Sequence, residues 1–99
     1  MLIVTGVVEV DPGGIETAKA AAQEMVSETV KEPGCILYEF SQILGQDNRF
    51  RVYEEWQDQA ALDEHFATQH MQNFRKALSE VGVISREIYR VVGGEKLPL

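Results

Sequence analysis

The segment from Glu54 to His70, EEWQDQAALDEHFATQH, concentrates side chains that could do chemistry. It contains the only Trp of the chain and both of its His residues, together with several carboxylates. Imidazole and carboxylate groups are metal ligands, and they are also general acids and bases. His65 and His70 are five positions apart. On one continuous helix they would point about 140° apart, whereas a helical zinc motif needs a four-residue step. We therefore predict no metal site in this segment.

The two His residues are candidates for catalysis. His70 follows Thr68 in the first turn of a predicted helix, and a helix N-terminus favours neutral imidazole. A neutral His can act as a base or donate a hydrogen bond to a substrate oxygen. The alternative for His70 is a purely local role in the turn. For His65 the alternatives are ligand binding and a partly buried structural pairing.

Glu54 and Trp56 are the other two candidates for catalysis, and both lie on the apolar face of a predicted strand. A carboxylate on such a face either pairs with a cation or has its pKa raised by desolvation. Arg51, Arg86 and Arg90 are the possible partners. Without one, Glu54 becomes a general-base candidate. Pattern alone places Trp56 in the core.

The elements that must position these residues follow from hydrophobic periodicity. Strands alternate with a period of two, and helices repeat at three- and four-residue steps. Asp58 and Thr68 are predicted N-caps of two short helices, and residues 45–48 (GQDN) are a candidate hairpin turn. A stripe from Ile15 to Val30 predicts the first helix, which Pro33 ends. The predicted strands are 2–10, 35–44, 49–56 and 83–92.

This order is β-α-β-β-α-β with the second helix in two parts. It predicts an α+β, ferredoxin-like fold, in which helices cover one face of an antiparallel four-stranded sheet. The 99 residues are expected to form one domain, 1–99, with residues 93–99 as a C-terminal tail. Large apolar residues on both faces of the second strand suggest that a second copy of the sheet covers the other face. A homodimer is therefore expected.

Composition narrows the range of functions. The net charge of −7 and the absence of basic runs argue against binding to nucleic acid or to anionic lipid. No stretch approaches the roughly 20 apolar residues that span a membrane, and the start does not read as a signal peptide. Cys35 is the only cysteine, so no disulfide is expected within the chain. We expect a cytoplasmic protein.

Three motifs, EPGCILYEF, NRFRVYEEWQDQAALDEH and QHMQNF, occur in this order. In order and spacing they resemble the antibiotic biosynthesis monooxygenase family, especially its small quinol-monooxygenase-like members. The resemblance covers roughly Leu2 to Val92. It implies the same ferredoxin-like fold, a homodimer joined through the sheets, and a pocket between sheet and helices. It also implies oxygenation of electron-rich phenols or quinols by molecular oxygen, without metal, flavin or other cofactor.

The resemblance further implies that a small aromatic substrate binds in this pocket. The expected substrate-binding residues are Tyr38, Phe40, Tyr53, Phe66 and Phe74, beside the catalytic candidates His65, His70, Trp56 and Glu54.

Two departures from the family pattern matter. Val52 stands where the anthrone-oxidising members carry Asn, and Gly6 stands at the place comparable to an Asn of the haem-degrading members. Two other functions stay open. One is an isomerase-like enzyme that processes a phosphorylated autoinducer-2 product, because NRFRVYEEW and the His spacing resemble that branch too. The other is a non-catalytic, dimeric small-molecule-binding protein of a stress response.

Overall fold

A computed structural model describes all 99 residues as one antiparallel sheet with three helices packed on it. The strand order in the sheet is β2-β3-β1-β4. The predicted ferredoxin-like arrangement, with its second helix divided in two, is thus confirmed. The elements are β1 (Leu2–Val10), a 3-10 turn (Pro12–Gly14), α1 (Ile15–Thr29), β2 (Cys35–Ile43), β3 (Gln46–Trp56), α2 (Gln59–Phe66), α3 (Gln69–Val81) and β4 (Val83–Val91).

The core lies between the helices and one face of the sheet, here called the inner face. Burial alternates strictly along β1, where every second side chain packs inward. One buried cluster joins Val4, Val52 and Trp56 to Met25 and Leu62 of the helices. A second cluster lies at the other end of the sheet and contains Val8, Val10, Ala18 and Phe50. These two clusters contain nearly all of the buried hydrophobic residues, so they supply most of the hydrophobic stabilisation.

Both predicted N-caps are confirmed. Asp58 accepts a hydrogen bond from the Ala61 amide at 2.9 Å and begins α2. Thr68 accepts one from the Met71 amide at 3.2 Å and begins α3. Each cap satisfies an amide that has no partner within its own helix.

Two local predictions were wrong at element ends. The hairpin turn is shorter than residues 45–48, because Ile43 pairs with Gln46 and leaves two residues between the strands. Gly45 adopts φ of +81°, which a glycine tolerates and which permits so tight a turn. The apolar stripe of α1 ends with the fully buried Thr29, whereas Val30 lies beyond the helix and is 53% exposed.

The second strand also differs from its predicted alternation. Cys35 pairs with Trp56 and Leu37 pairs with Glu55, so Ile36 is an extra residue in a bulge. Ile36 is 52% exposed, and Leu44 at the hairpin tip is 96% exposed. Ile36 and Leu44 therefore do not belong to a flat apolar face of the sheet. Both were among the apolar residues from which we expected a second copy of the sheet to cover the face without helices.

The other sheet face, here called the outer face, mixes apolar and polar side chains. Its strand register places Ile3, Val7, Leu37, Tyr53 and Tyr89 there together with Arg51, Glu39 and Glu55. The C-terminal residues return to this face, because Lys96 Nζ lies 3.0 Å from Glu55 Oε2. None of the three helices is long and apolar enough to cross a bilayer.

Candidate functional site

A cavity of about 620 Å³ lies between the inner face, α2, α3 and β4. We call it the helix–sheet cavity. Thirteen of its nineteen lining residues are hydrophobic, which is typical of small-molecule sites. Six of the nine predicted site residues line it, namely Tyr38, Phe40, Glu54, His65, Phe66 and Phe74. The other three do not line the cavity, and their positions are described below: Trp56, His70 and Tyr53.

Glu54 is the only carboxylate that lines the cavity. Its side chain is nearly buried, with 6% exposure for the residue. Of the two alternatives for Glu54, a cation partner and a pKa raised by desolvation, the structure shows the second: no arginine pairs with Glu54, and the Trp56 indole N–H donates to Glu54 Oε1 at 2.8 Å. Burial raises the pKa of Glu54 to about 7, against the opposing hydrogen bond from Trp56 and with a smaller contribution from the Glu32 charge. Glu54 can therefore exchange a proton near neutral pH.

His65 and His70 meet on one carboxylate that the sequence patterns did not single out. Glu32 Oε2 accepts from His65 Nδ1 at 2.7 Å and from His70 Nε2 at 2.8 Å. The two His side chains would diverge by about 140° on one continuous helix, but the predicted break between the two short helices brings them together. The chain turns between Phe66 and Gln69, so that α3 starts in a new direction. The available signal was Glu32 itself, which precedes the helix-ending Pro33 and is the first residue of the EPGCILYEF motif.

The environment of His65 keeps its imidazole neutral. Burial lowers the pKa of His65. The hydrogen bond that His65 donates to Glu32, together with the Glu32 charge, opposes this shift, and the charges of His70 and Arg75 add to it. When Nδ1–H donates to Glu32, the neutral ring carries its lone pair on Nε2. In this way a carboxylate fixes both the tautomer and the orientation of a catalytic imidazole. His65 is thus suited to accept a proton from a ligand in the cavity.

The same three side chains have the donor set of a metal site. The candidate ligand atoms of Glu32, His65 and His70 lie within 4.8 Å of one another. Two imidazoles and a carboxylate suit several transition metals. The nitrogen–oxygen distances of 2.7 and 2.8 Å are those of hydrogen bonds, however. Donor atoms that each lie about 2.0–2.2 Å from a tetrahedral zinc ion would instead be about 3.3–3.6 Å from one another.

Aromatic rings surround His65 and Glu54. The Tyr38 ring centroid lies 5.5 Å from that of His65 and 5.8 Å from that of Phe40. Burial raises the pKa of Tyr38 far above its usual range, with a further contribution from the Glu54 charge, so its phenol stays protonated. Trp56 is fully buried behind the wall of the cavity, with its ring 4.8 Å from His65. It holds both Glu54 and His65 in place.

Tyr53 lies on the outer face, where it pairs across the sheet with Thr5 and Glu39. Its hydroxyl donates to Glu55 Oε2 at 2.7 Å. The expectation that Tyr53 lines the substrate pocket does not fit this position, because strand alternation turns it away from the cavity.

Comparison with known proteins gives a consistent result. The family described as "Antibiotic biosynthesis monooxygenase" matches residues 1–77. An uncharacterised protein of Synechocystis, sll1783, is 37% identical over 73 residues, covering 74% of this chain and 50% of that protein. The match thus spans only half the length of this relative. "Putative monooxygenase YcnE" of Bacillus subtilis is 31% identical over 74 residues, covering 75% of this chain and 78% of that protein.

The solved structure of an antibiotic biosynthesis monooxygenase has the same fold. It superimposes with a TM-score of 0.87 at 26% identity, covering 99% of this chain and 100% of that chain.

Proposed function

The chain belongs to the antibiotic biosynthesis monooxygenase family, and we propose that it is a cofactor-independent monooxygenase acting on a small phenol or quinol. The observation that carries this proposal is the hydrogen bond between Glu32 and His65 at the wall of an aromatic cavity. An oriented, neutral imidazole beside an apolar pocket is what deprotonation of a phenol requires.

The first step is removal of the phenolic proton. His65 accepts it on Nε2, and the Glu32 carboxylate stabilises the imidazolium that forms. The apolar lining holds the ring and excludes water, which strengthens the electrostatic interactions inside. Glu54, with its pKa of about 7, supplies a second group that can give or take a proton at the ring.

The second step is oxidation by molecular oxygen. The substrate anion transfers electrons to oxygen, one oxygen atom forms a bond to a ring carbon, and the other leaves as water. One quinol and one dioxygen give one hydroxyquinone and one water, so the substrate supplies every electron. No further reductant is required, and the protein contributes orientation and proton transfer.

The close approach of the β4 backbone to Gly6 helps to distinguish between branches of the family. A Cβ at Gly6 would overlap the Glu87 carbonyl oxygen and lie 2.5 Å from the Ile88 Cα. An Asn at this position would not fit without displacing β4. This supports a quinol-type substrate over haem. Val52 stands where the anthrone-oxidising members carry Asn, and it offers no amide to an anthrone substrate.

Oxygen uptake with a panel of dihydroxyaromatic compounds, in buffer containing a chelator, tests the proposal. We expect His65→Gln to reduce turnover at least about tenfold, since general-base catalysis typically contributes a factor of 10²–10⁴. His70→Gln is the matched control, because His70 binds the same Glu32 oxygen but does not line the cavity. It should retain most activity.

The remaining outcomes decide against the proposal. Equal rates for wild type and His65→Gln would remove His65 from the mechanism. Activity that a chelator abolishes and an added metal restores would assign Glu32, His65 and His70 to a metal centre. Turnover without oxygen uptake would identify an isomerase-like enzyme. Stabilisation by ligands with no turnover would identify a binding protein.

A further inference from the structure

Positive charge is concentrated at the helix–sheet cavity of an otherwise acidic chain. The lining contains three of the nine Lys and Arg residues, Arg75, Arg86 and Arg90, but only one of the sixteen Asp and Glu residues, Glu54. The burial that raises the pKa of Glu54 also disfavours its negative charge. The cavity is therefore positive, while the whole chain has a net charge of −7.

The three arginines come from two sides of the cavity. Arg86 pairs across the sheet with Val8, and Arg90 pairs with Val4, both of which face inward. Both arginines of β4 therefore lie on the inner face. Arg75 comes from α3, and its charge contributes to the lowered pKa of His65. An anion between α3 and β4 would thus lie close to the proposed base.

No carboxylate neutralises these three guanidinium groups. None of the ion pairs of the chain includes them. Arg90 Nη1 donates to the neutral Gln59 Oε1 at 2.6 Å, and Arg75 Nη1 donates to the Phe66 carbonyl at 3.4 Å. The Arg86 side chain makes no hydrogen bond to another residue of the chain, although its backbone pairs with β1. Most of the fifteen N–H donors of these three side chains are thus open to a ligand.

From this juxtaposition we infer that the cavity binds an aromatic ligand that carries an anionic group, a carboxylate or a phosphate. The aromatic ring lies against Phe40, Phe66 and Phe74, and the anion lies between Arg75 and the two arginines of β4. Guanidinium groups bind planar carboxylates and phosphates through paired hydrogen bonds, which gives both orientation and affinity. The inference rests on the proposed function only in using the same cavity.

Binding, not turnover, tests this inference. Isothermal titration would compare hydroquinone with dihydroxybenzoate and with hydroquinone monophosphate, which carry the same ring with and without an anion. We expect at least one anionic compound to bind about tenfold more tightly than hydroquinone, which corresponds to about 1.4 kcal/mol. The advantage should shrink in high salt. Whichever anion binds more tightly identifies the group that the site selects.

An Arg86→Gln/Arg90→Gln double variant should lose this advantage and bind hydroquinone as the wild type does. Lys76→Gln is the control, since it removes a positive charge from α3 at a residue that does not line the cavity. Both arginines are exposed, so the double variant is expected to fold. Circular dichroism would verify this, and Arg86→Lys should keep part of the preference through its charge.

Equal affinity for the neutral and anionic compounds, or an anion preference that survives in the double variant, would overturn the inference. These results are separable from the proposed function. Tight anion binding without oxygen uptake would contradict only the monooxygenase proposal. Oxygen uptake with neutral quinols and no anion preference would contradict only the charge assignment.

Discussion

Glu54 and Glu55 show how position determines the behaviour of a side chain. They are adjacent in β3 and therefore lie on opposite faces of the sheet. Burial beside a cavity raises the pKa of Glu54 to about 7. On the outer face, the hydroxyl of Tyr53, aided by Lys96, lowers the pKa of Glu55. The first carboxylate can therefore exchange protons near neutral pH, while the second remains a fixed negative charge.

The raised pKa of Glu54 predicts a specific dependence of stability on pH. Between pH 4.5 and about 7 the folded state retains a proton that the unfolded state has released, so stability falls as pH rises through this range. At about 1.4 kcal/mol per pH unit, the loss amounts to about 3 kcal/mol. Glu54→Gln keeps an oxygen that can accept the Trp56 N–H, and it should not show this loss.

Urea unfolding of both proteins at pH 5, 6, 7 and 8 measures the effect. The other titrating groups, including His65, are common to wild type and Glu54→Gln, so the difference between their free energies of unfolding isolates Glu54. That difference should increasingly favour the variant as pH rises. A constant difference across the series would show that Glu54 has an ordinary pKa.

At the scale of elements, the turn between α2 and α3 creates the His cluster. Thr68 accepts from the Met71 amide at 3.2 Å and donates to the His65 carbonyl at 2.8 Å. One side chain thus caps the start of α3 and binds the end of α2. Both His residues can reach Glu32 because this hydroxyl fixes the angle between the two helices.

Thr68→Ala is expected to destabilise the protein by about 1 kcal/mol, as loss of an N-cap typically does. The Met71 amide should also exchange faster with solvent, because it loses its acceptor. Thr68→Ser retains the hydroxyl and serves as the matched control. Chemical denaturation and hydrogen exchange would measure both effects, and wild-type protection in Thr68→Ala would show that the cap does not fix the turn.

The helices and strands could be predicted from the sequence, because the patterns that indicate them are local. Alternation predicted β1 to the residue, and the side chains of Asp58 and Thr68 predicted two helix starts. The bulge at Ile36 and the two-residue hairpin depend on pairing between strands, which local periodicity does not report. Glu32 was missed for a related reason, since it contacts residues 33 and 38 positions away. Chemistry assembled across such distances requires the tertiary structure.

At the scale of the whole molecule, the outer face is a surface to which the proposed function assigns no role. Its exposed apolar residues include Tyr89 at 63% exposure, and Ile3, Val7 and Leu37 are only half-buried. An antiparallel sheet that faces water usually shows a polar outer face. We propose that two copies of the chain associate through this surface, which would extend a core that is thin for a chain of this size.

Sedimentation equilibrium at micromolar concentration should therefore give twice the mass of one chain. Val91→Arg places a charge on the outer face, where Val91 pairs with Ile3 and, unlike Tyr89, does not line the helix–sheet cavity. It should shift the equilibrium toward monomer, because two copies would bring like charges together without partners. Leu44→Arg is the matched control, since Leu44 is even more exposed but lies at the hairpin tip. Its mass should equal that of wild type. A monomeric wild type, or equal dissociation of both variants, would show that the outer face is not the interface.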